Sequence, residues 1–444
     1  MGGRLRALWQ NLIAGFWLVP GAVATVIAAS AFLFVEIDRA AGVGGIGIGF
    51  DGDAGAARDI LSTIAGSLIT VAGLTFSMTI VVLTLISSQF TPRALRGFLG
   101  DRVNQVVAGA FVGIFLYCLI VLRSVRGGGD GDAFVPALSV TVAIALGLLT
   151  LVLLLLFVHH MGRSIQASHI AARIARQTLA AVDRLYPERY SASSEEDPEE
   201  IVPSWLEDGK PASVTPARAG YVLLVDLDSI LKAAAPGARL QVAVRPGDFV
   251  TEEDVLARMW PADRLEEARA PLRRSIPVED ERDLHQDVSY GLQQLTDIAL
   301  KALSPGINDP TTAVTCIGYL RAVLERLARR AIPGAVRRLD DAIVVAEQRS
   351  FEEYADSAFS EIGRYASDNA RVVLVLLAAV RSVGCIARSV GAVGRVPALA
   401  EIGEAIAGPA LEGASATRDE RLIRCEIERL REAFGGKPRR RKGA

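Results

Sequence analysis

Four long stretches carry no charged residue at all: 16–35, 60–86, 103–122 and 134–158. Each matches or exceeds the roughly 20 apolar residues that an α-helix needs to cross a hydrocarbon core. A chain of 444 residues with 51% hydrophobic residues and a mean hydropathy of +0.33 is therefore read as an α-helical integral membrane protein with four transmembrane helices. Arg4 and Arg6 precede the first run in the manner of a signal peptide. The run is longer than the roughly 7–15 residues of a signal h-region, which favours an uncleaved span.

The flanking arginines carry the orientation. Arg4, Arg6, Arg93, Arg96, Arg102 and Arg163 lie on one side, and Arg39, Arg58, Arg123 and Arg126 on the other. The richer side is cytoplasmic by the positive-inside bias, so both termini are expected in the cytoplasm of an inner-membrane protein, with the loops around Asp51 and Asp130 outside.

Residues 1–159 thus form the transmembrane domain, and 160–187 read as a helical extension of the fourth span. Residues 188–214 are an acidic linker rich in Ser and Pro. From 215 to 262, β-branched runs between Pro236-Gly237 and Pro246-Gly247 predict a small β-rich module. From 283 to 434, apolar residues recur at three and four, predicting a helical bundle, so the cytoplasmic region is α+β. The run 372–380 is only nine residues long before Arg381, the length of a core helix segment. Residues 435–444 form a basic tail suited to anionic lipid.

Thr63, Thr70, Ser77 and Thr84 recur at seven-residue intervals in the second run, with Gly66, Gly73 and Ser87 at the alternate position. That places small and hydroxyl side chains along one helix face. Two readings stand: a seam where helices pack closely, as at Gly109 and Gly113 in the third run, or the polar lining of a pathway. No Asp, Glu, Lys or Arg lies inside any run, which argues against proton-coupled carriage.

In ALSPGINDPTTAV, 302–314, Pro305-Gly306 ends one helix, and Asp309 with Pro310 opens the next as N-cap and first residue. Ser304, Asn308, Asp309, Thr311 and Thr312 make either a rigid elbow or, through N–H groups and hydroxyls at the helix start, an anion site. His159 and His160 end the fourth run, and 161–182 holds no acid or cysteine to complete a metal site with them. GVGGIG at 42–47 lacks the strand and helix that a dinucleotide fingerprint requires. Asp51 to Asp53 and Asp130 to Asp132 read as solvated turns. PGDFVTEEDVLARM, 246–259, resembles the turn and returning strand of a biotinyl or lipoyl module but has no acceptor lysine.

Cys118, Cys316, Cys385 and Cys425 are too scattered for a disulfide framework or zinc knuckle, in keeping with a reduced, intracellular C-terminal part. Lys+Arg 48 against Asp+Glu 50 disfavours nucleic acid as a partner. With Walker, GxSxG and HExxH patterns missing, no catalytic function and no cofactor are expected; an enzyme would have to use His285, Asp287 and Asn308.

The second run through SSQFTPR, FVHHMGRSIQ, GYVLLVD with RPGDFV, and HQDVSYGLQQLTDIALKALSPGINDPTTAV together resemble the bacterial family of predicted membrane proteins known as domain of unknown function 2254. The matching positions are Ser88, Gln89, Phe90, Pro92, Arg93, His159, His160, Gln286, Asp287, Ser304, Pro305, Asn308, Asp309 and Pro310. The resemblance implies four spans and a large cytoplasmic domain, and carries no activity. The expectation is a homo-oligomeric, channel-like or passive transport protein in the lipid bilayer, its cytoplasmic domain regulatory; a membrane-anchored sensor or scaffold is the alternative.

Overall fold

The computed structural model describes residues 18–41, 50–89, 101–127, 134–164, 166–190, 211–233, 237–262, 265–334, 336–339, 341–413 and 416–435. The chain is mostly helical and divides into two units, Met1–His169 and Ile170–Ala444.

The first unit holds α1 (Leu18–Ala41), α2 (Ala54–Gln89), α3 (Arg102–Ser124) and α4 (Ala137–Ser164). Helix α3 lies centrally, packing on the other three and burying Phe111, Ile114, Tyr117 and Val121. Its Gly109 and Gly113 make the close approach to α1: a Cβ at Gly109 would lie 2.6 Å from the Pro20 carbonyl, and one at Gly113 2.9 Å from Ala24 Cα. A side chain at either site would push the helices apart.

Helix α1 continues past the expected span end and carries Asp38, whose carboxylate accepts from the amides of Leu138 (3.0 Å) and Ser139 (2.9 Å) and from the Ser139 hydroxyl (2.6 Å). An acid on one helix thus satisfies the orphan donors that open another. The α3–α4 connection is closed by paired Arg126 and Phe134 backbones, and Arg58 reaches the Val125 carbonyl at 3.1 Å.

Helix α5 (Ala167–Leu185) runs across the division between the units. In the second unit the elements are β1 (Ala212–Val214), β2 (Gly220–Val222), α6 (Leu227–Ala233), β3 (Arg239–Val242), β4 (Phe249–Val250), β5 (Ala257–Trp260), α7 (Leu265–Ser275) and β6 (Val278–Glu279). There follow α8 (Val288–Leu303), α9 (Pro310–Ala328), β7 (Val336–Leu339), β8 (Ala342–Ala346), α10 (Phe351–Tyr365), α11 (Ala370–Ser389), α12 (Val396–Glu412) and α13 (Thr417–Ala433).

Two sheets form, in the orders β1-β5-β3-β8-β7 and β4-β2-β6. Their core is Leu240, Leu256, Met259, Leu272, Ile230 and Val344 with their neighbours. The helical bundle expected over 283–434 is interrupted by two strands, β7 and β8. Ala342–Ala346 is a strand, pairing in parallel with β3, Gln241 opposite Val345. A short β-branched run is ambiguous by periodicity alone, and the tertiary partner decides it. The β-rich region likewise exceeds 215–262, since β1 begins at Ala212 and β6 ends at Glu279. The segment likened to a biotinyl module sends β4 and β5 into different sheets.

Helix α11 packs against α9, α10, α12 and α13. Val372, Val373, Leu376, Leu377, Val380 and Val383 are fully buried. Arg381 pairs at 2.8 Å with Glu426, which is itself buried, and Ser382 donates to Glu325 at 2.6 Å. At the end of α9 the Arg395 side chain, 3% exposed, points three hydrogen bonds of 3.2–3.4 Å at the carbonyls of Leu327, Ala328 and Arg330. Its guanidinium sits 4.8 Å from the Tyr190 ring centroid and 4.9 Å from that of Phe351.

Among the described residues, five helices are long and apolar enough to cross a membrane by length and composition: α1, α2, α3, α4 and α11.

Candidate functional site

The face of α2 turned into its own unit is Ala57, Leu61, Ala65, Leu68, Thr75 and Val82, all buried. Leu61, Leu68, Thr75 and Val82 keep a seven-residue interval, two positions out of step with Thr63, Thr70, Ser77 and Thr84. Two residues turn a helix by about 200°, so the hydroxyl stripe points the opposite way. Accordingly Thr63, Gly66, Thr70, Gly73, Ser77 and Thr84 are all exposed. A Cβ at Gly66 or Gly73 would meet nothing within 4 Å. The Ser87 side chain lies outside the described residues. The contrast with Gly109 and Gly113 is physical: those glycines admit a neighbouring backbone, whereas these present an open groove along α2. Within the stripe, the Thr70 hydroxyl donates to the Gly66 carbonyl (3.3 Å) and that of Thr84 to Ile80 (2.9 Å). Large apolar side chains flank it, with Ile69, Phe76, Ile80 and Val81 all exposed.

At one end of the four helices His160 Nε2 meets Asp101 Oδ2 at 2.8 Å. The other Asp101 oxygen caps α3 by accepting from the Val103 amide at 2.9 Å. One turn further along α3, Asn104 is 4% exposed, and among the described residues neither polar atom of its side-chain amide has a hydrogen-bond partner. The Asp101–His160 contact spans 59 positions, which no local pattern announces; only the N-cap role of Asp101 was open to sequence reasoning. Of the expected turn at Asp51 to Asp53, Asp53 accepts from the Ala56 amide at 2.7 Å and opens α2.

In the second unit the elbow forms at 304–312. Asn308 adopts a left-handed φ of 47°, and Asp309 caps α9, accepting from the amides of Thr311 and Thr312 (both 3.1 Å) and from the Thr312 hydroxyl (2.6 Å). The Thr312 hydroxyl and these amides hold the Asp309 carboxyl below its usual pKa. The donors proposed for an anion are thus already engaged by a carboxylate, whose negative charge would repel one. The Ser304 hydroxyl turns back to the Lys301 carbonyl at 2.6 Å.

Asp287 caps the opposite end of α8, about 24 Å along its axis from the elbow, so Asp287 and Asn308 do not share a site. Asp287 is 3% exposed and gathers Arg282 (2.6 Å), the Ser289 hydroxyl (2.5 Å) and the Tyr290 amide (3.0 Å). It abuts Gly247, at φ 91°, where a Cβ would strike its carboxylate. Next to it, Gln286 accepts from the Val225 amide at 2.9 Å. Two distant motifs, HQD and RPGD, therefore close on one another and lock the β-rich part to the head of α8. Nearby, the Tyr186 and Tyr354 hydroxyls meet at 2.9 Å, both phenols raised in pKa by burial. Among the described residues no cluster of His, Cys, Asp and Glu could hold a metal ion.

Several long apolar helices, one bearing an outward polar stripe, define a membrane protein. The comparison with known families agrees: residues 14–382 match the predicted membrane protein family DUF2254, and the chain belongs to that family. It is similar to the uncharacterized protein Mb1321c of Mycobacterium bovis, 34% identical over 388 residues, or 85% of this chain and 73% of the relative. The uncharacterized protein Rv1290c of Mycobacterium tuberculosis matches to the same identity and extent. No solved structure matches the chain.

Proposed function

We propose that the protein is a homo-oligomeric passive pathway, its protomers arranged so that the outward stripe of α2 lines the passage and the second unit regulates it from the cytoplasm. One observation carries this reading: Thr63, Gly66, Thr70, Gly73, Ser77 and Thr84 all lie on the exposed side of α2, the side open to a second protomer. Hydroxyls and open backbone on one face can replace part of a solute's hydration. The lack of ionisable residues in the stripe removes the usual coupling to protons.

The same reading takes α1 to α4 as the spans and α11 as a helix of the bundle, because α11 is enclosed by four neighbours and pairs its Arg381 with Glu426. Both termini are then cytoplasmic by the arginine bias. The second reading, a scaffold without a pathway, draws on the Thr70 and Thr84 hydroxyls bonding their own helix, as threonines in a purely packed stripe also do.

Cysteine substitutions at 63, 70, 77 and 84 test it. They are expected to react with a small hydrophilic thiol reagent, and protein in a planar bilayer to show conductance that a bulky residue at Thr70 or Ser77 reduces. Unreactive cysteines with a silent bilayer would leave the scaffold.

A further inference from the structure

Helices α11 and α13 start side by side, and between their first turns lies an open cleft of about 400 Å³ lined by Arg371, Leu374, Val375, Arg418, Asp419 and Leu422. Its volume falls at the low end of the ~300–1,000 Å³ typical of small-molecule sites. The floor is aliphatic, and Leu422 is 43% exposed although it heads a helix that otherwise buries its leucines and isoleucines.

The rim is cationic. Among the described residues neither Arg371 nor Arg418 has a hydrogen-bond or ion-pair partner. That sets them apart from Arg381, Arg424, Arg429 and Arg431 on the same two helices, each paired with a glutamate. The two arginines outweigh Asp419 at the cleft mouth, since the Glu420 carboxylate in the same turn of α13 is taken up by Arg424; the start of α11 is capped by Asn369, which accepts from the Val372 amide at 3.2 Å. Helix α13 opens on Ala416 with no side-chain cap and carries Asp419 and Glu420 in its first turn, so the cationic character of the rim comes from the two guanidiniums. Cation above and aliphatic surface below call for a ligand with an anionic head and a short hydrocarbon tail.

We infer that this cleft binds a single-chain anionic amphiphile, a medium-chain fatty carboxylate, with its head between Arg371 and Arg418 and its tail along Leu374, Val375 and Leu422. Guanidinium pairs with carboxylate through two parallel hydrogen bonds. The aliphatic floor adds affinity in proportion to the area it covers.

The experiment uses the full chain in phosphatidylcholine nanodiscs and a diazirine-bearing dodecanoate, with labelled peptides located by mass spectrometry. Labelling is expected in the peptides spanning 370–375 and 418–422. It should be competed by dodecanoate but not by dodecanol, and fall about tenfold for each arginine removed in R371Q and R418Q. L422W, which fills the cleft without touching a charge, should abolish labelling in a protein of unchanged thermal stability. Labelling spread over unrelated helices, or indifferent to R371Q with R418Q, would overturn the inference. So would displacement by phosphatidylglycerol in the nanodisc rather than by dodecanoate, which would assign the cleft to bilayer lipid.

Discussion

Arg395 offers the sharpest test of the second unit. Its guanidinium is 3% exposed, stacked between Tyr190 and Phe351 and aimed at the last carbonyls of α9. A desolvated cation on one aromatic face is worth about 1–2 kcal/mol, and a cation at a helix C-terminus up to about 2 kcal/mol. The hydrogen bonds at 3.2–3.4 Å are long, so the stack carries most of the effect. Shared geometry makes these contributions less than additive, and R395A is expected to cost roughly 3 kcal/mol. For a unit of this size that lowers its melting transition by roughly 6–10 °C. R395K keeps the charge but loses the planar stack and should fall between the two. Hydrogen exchange on the full chain in detergent locates the loss, which should appear first at the end of α9 and the start of α10. A transition in R395A within about 0.5 kcal/mol of wild type, the range of inert surface changes, would refute the reasoning.

Three further outcomes are expected. Burial pushes the Cys316 thiol up to about 12, whereas Cys385 and Cys425 are exposed, so an aqueous thiol reagent at pH 8 should modify two of the four cysteines; modification of Cys316 without denaturant would count against its burial. G109L should separate α1 from α3 and destabilise the first unit by about 1–3 kcal/mol, the usual cost of overpacking, and steric trapping in bicelles would expose a wild-type-like value. D309A should cost about 1 kcal/mol as a lost N-cap. Because the folded carboxyl titrates below its unfolded value, that cost is present above about pH 4 and vanishes as pH falls through the folded value; pH-dependent unfolding that leaves the gap constant would reject the capping role.

Charge avoidance made the membrane helices legible, since a hydrocarbon core tolerates almost nothing else, and Asp309-Pro310 announced the start of α9 because capping is a local affair. What a side chain faces is less local. The seven-residue interval at Thr63 identified a face of α2, but only the neighbours at Leu61 and Leu68 determine that it turns outward. Asp38 capping α4 about a hundred positions away, and Asp287 meeting Gly247, depend on chain paths that no window of sequence contains. Strand β8 was missed for the same reason: its five residues become a strand by lying beside β3.

That pairing sets a schedule for the growing chain. Strand β3 leaves the ribosome roughly 100 residues before β8, a delay of about 5–20 s at ordinary synthesis rates. Through that interval one of its edges has no partner, because β5 covers only the other. Three helices emerge meanwhile, α7, α8 and α9, and the last two carry the chain on a long excursion from which β8 must return in register, with Arg239 opposite Ile343. A nascent chain stalled within the excursion would therefore expose a ready template for another polypeptide's strand, making the stretch 243–341 the period in which a chaperone has most to protect.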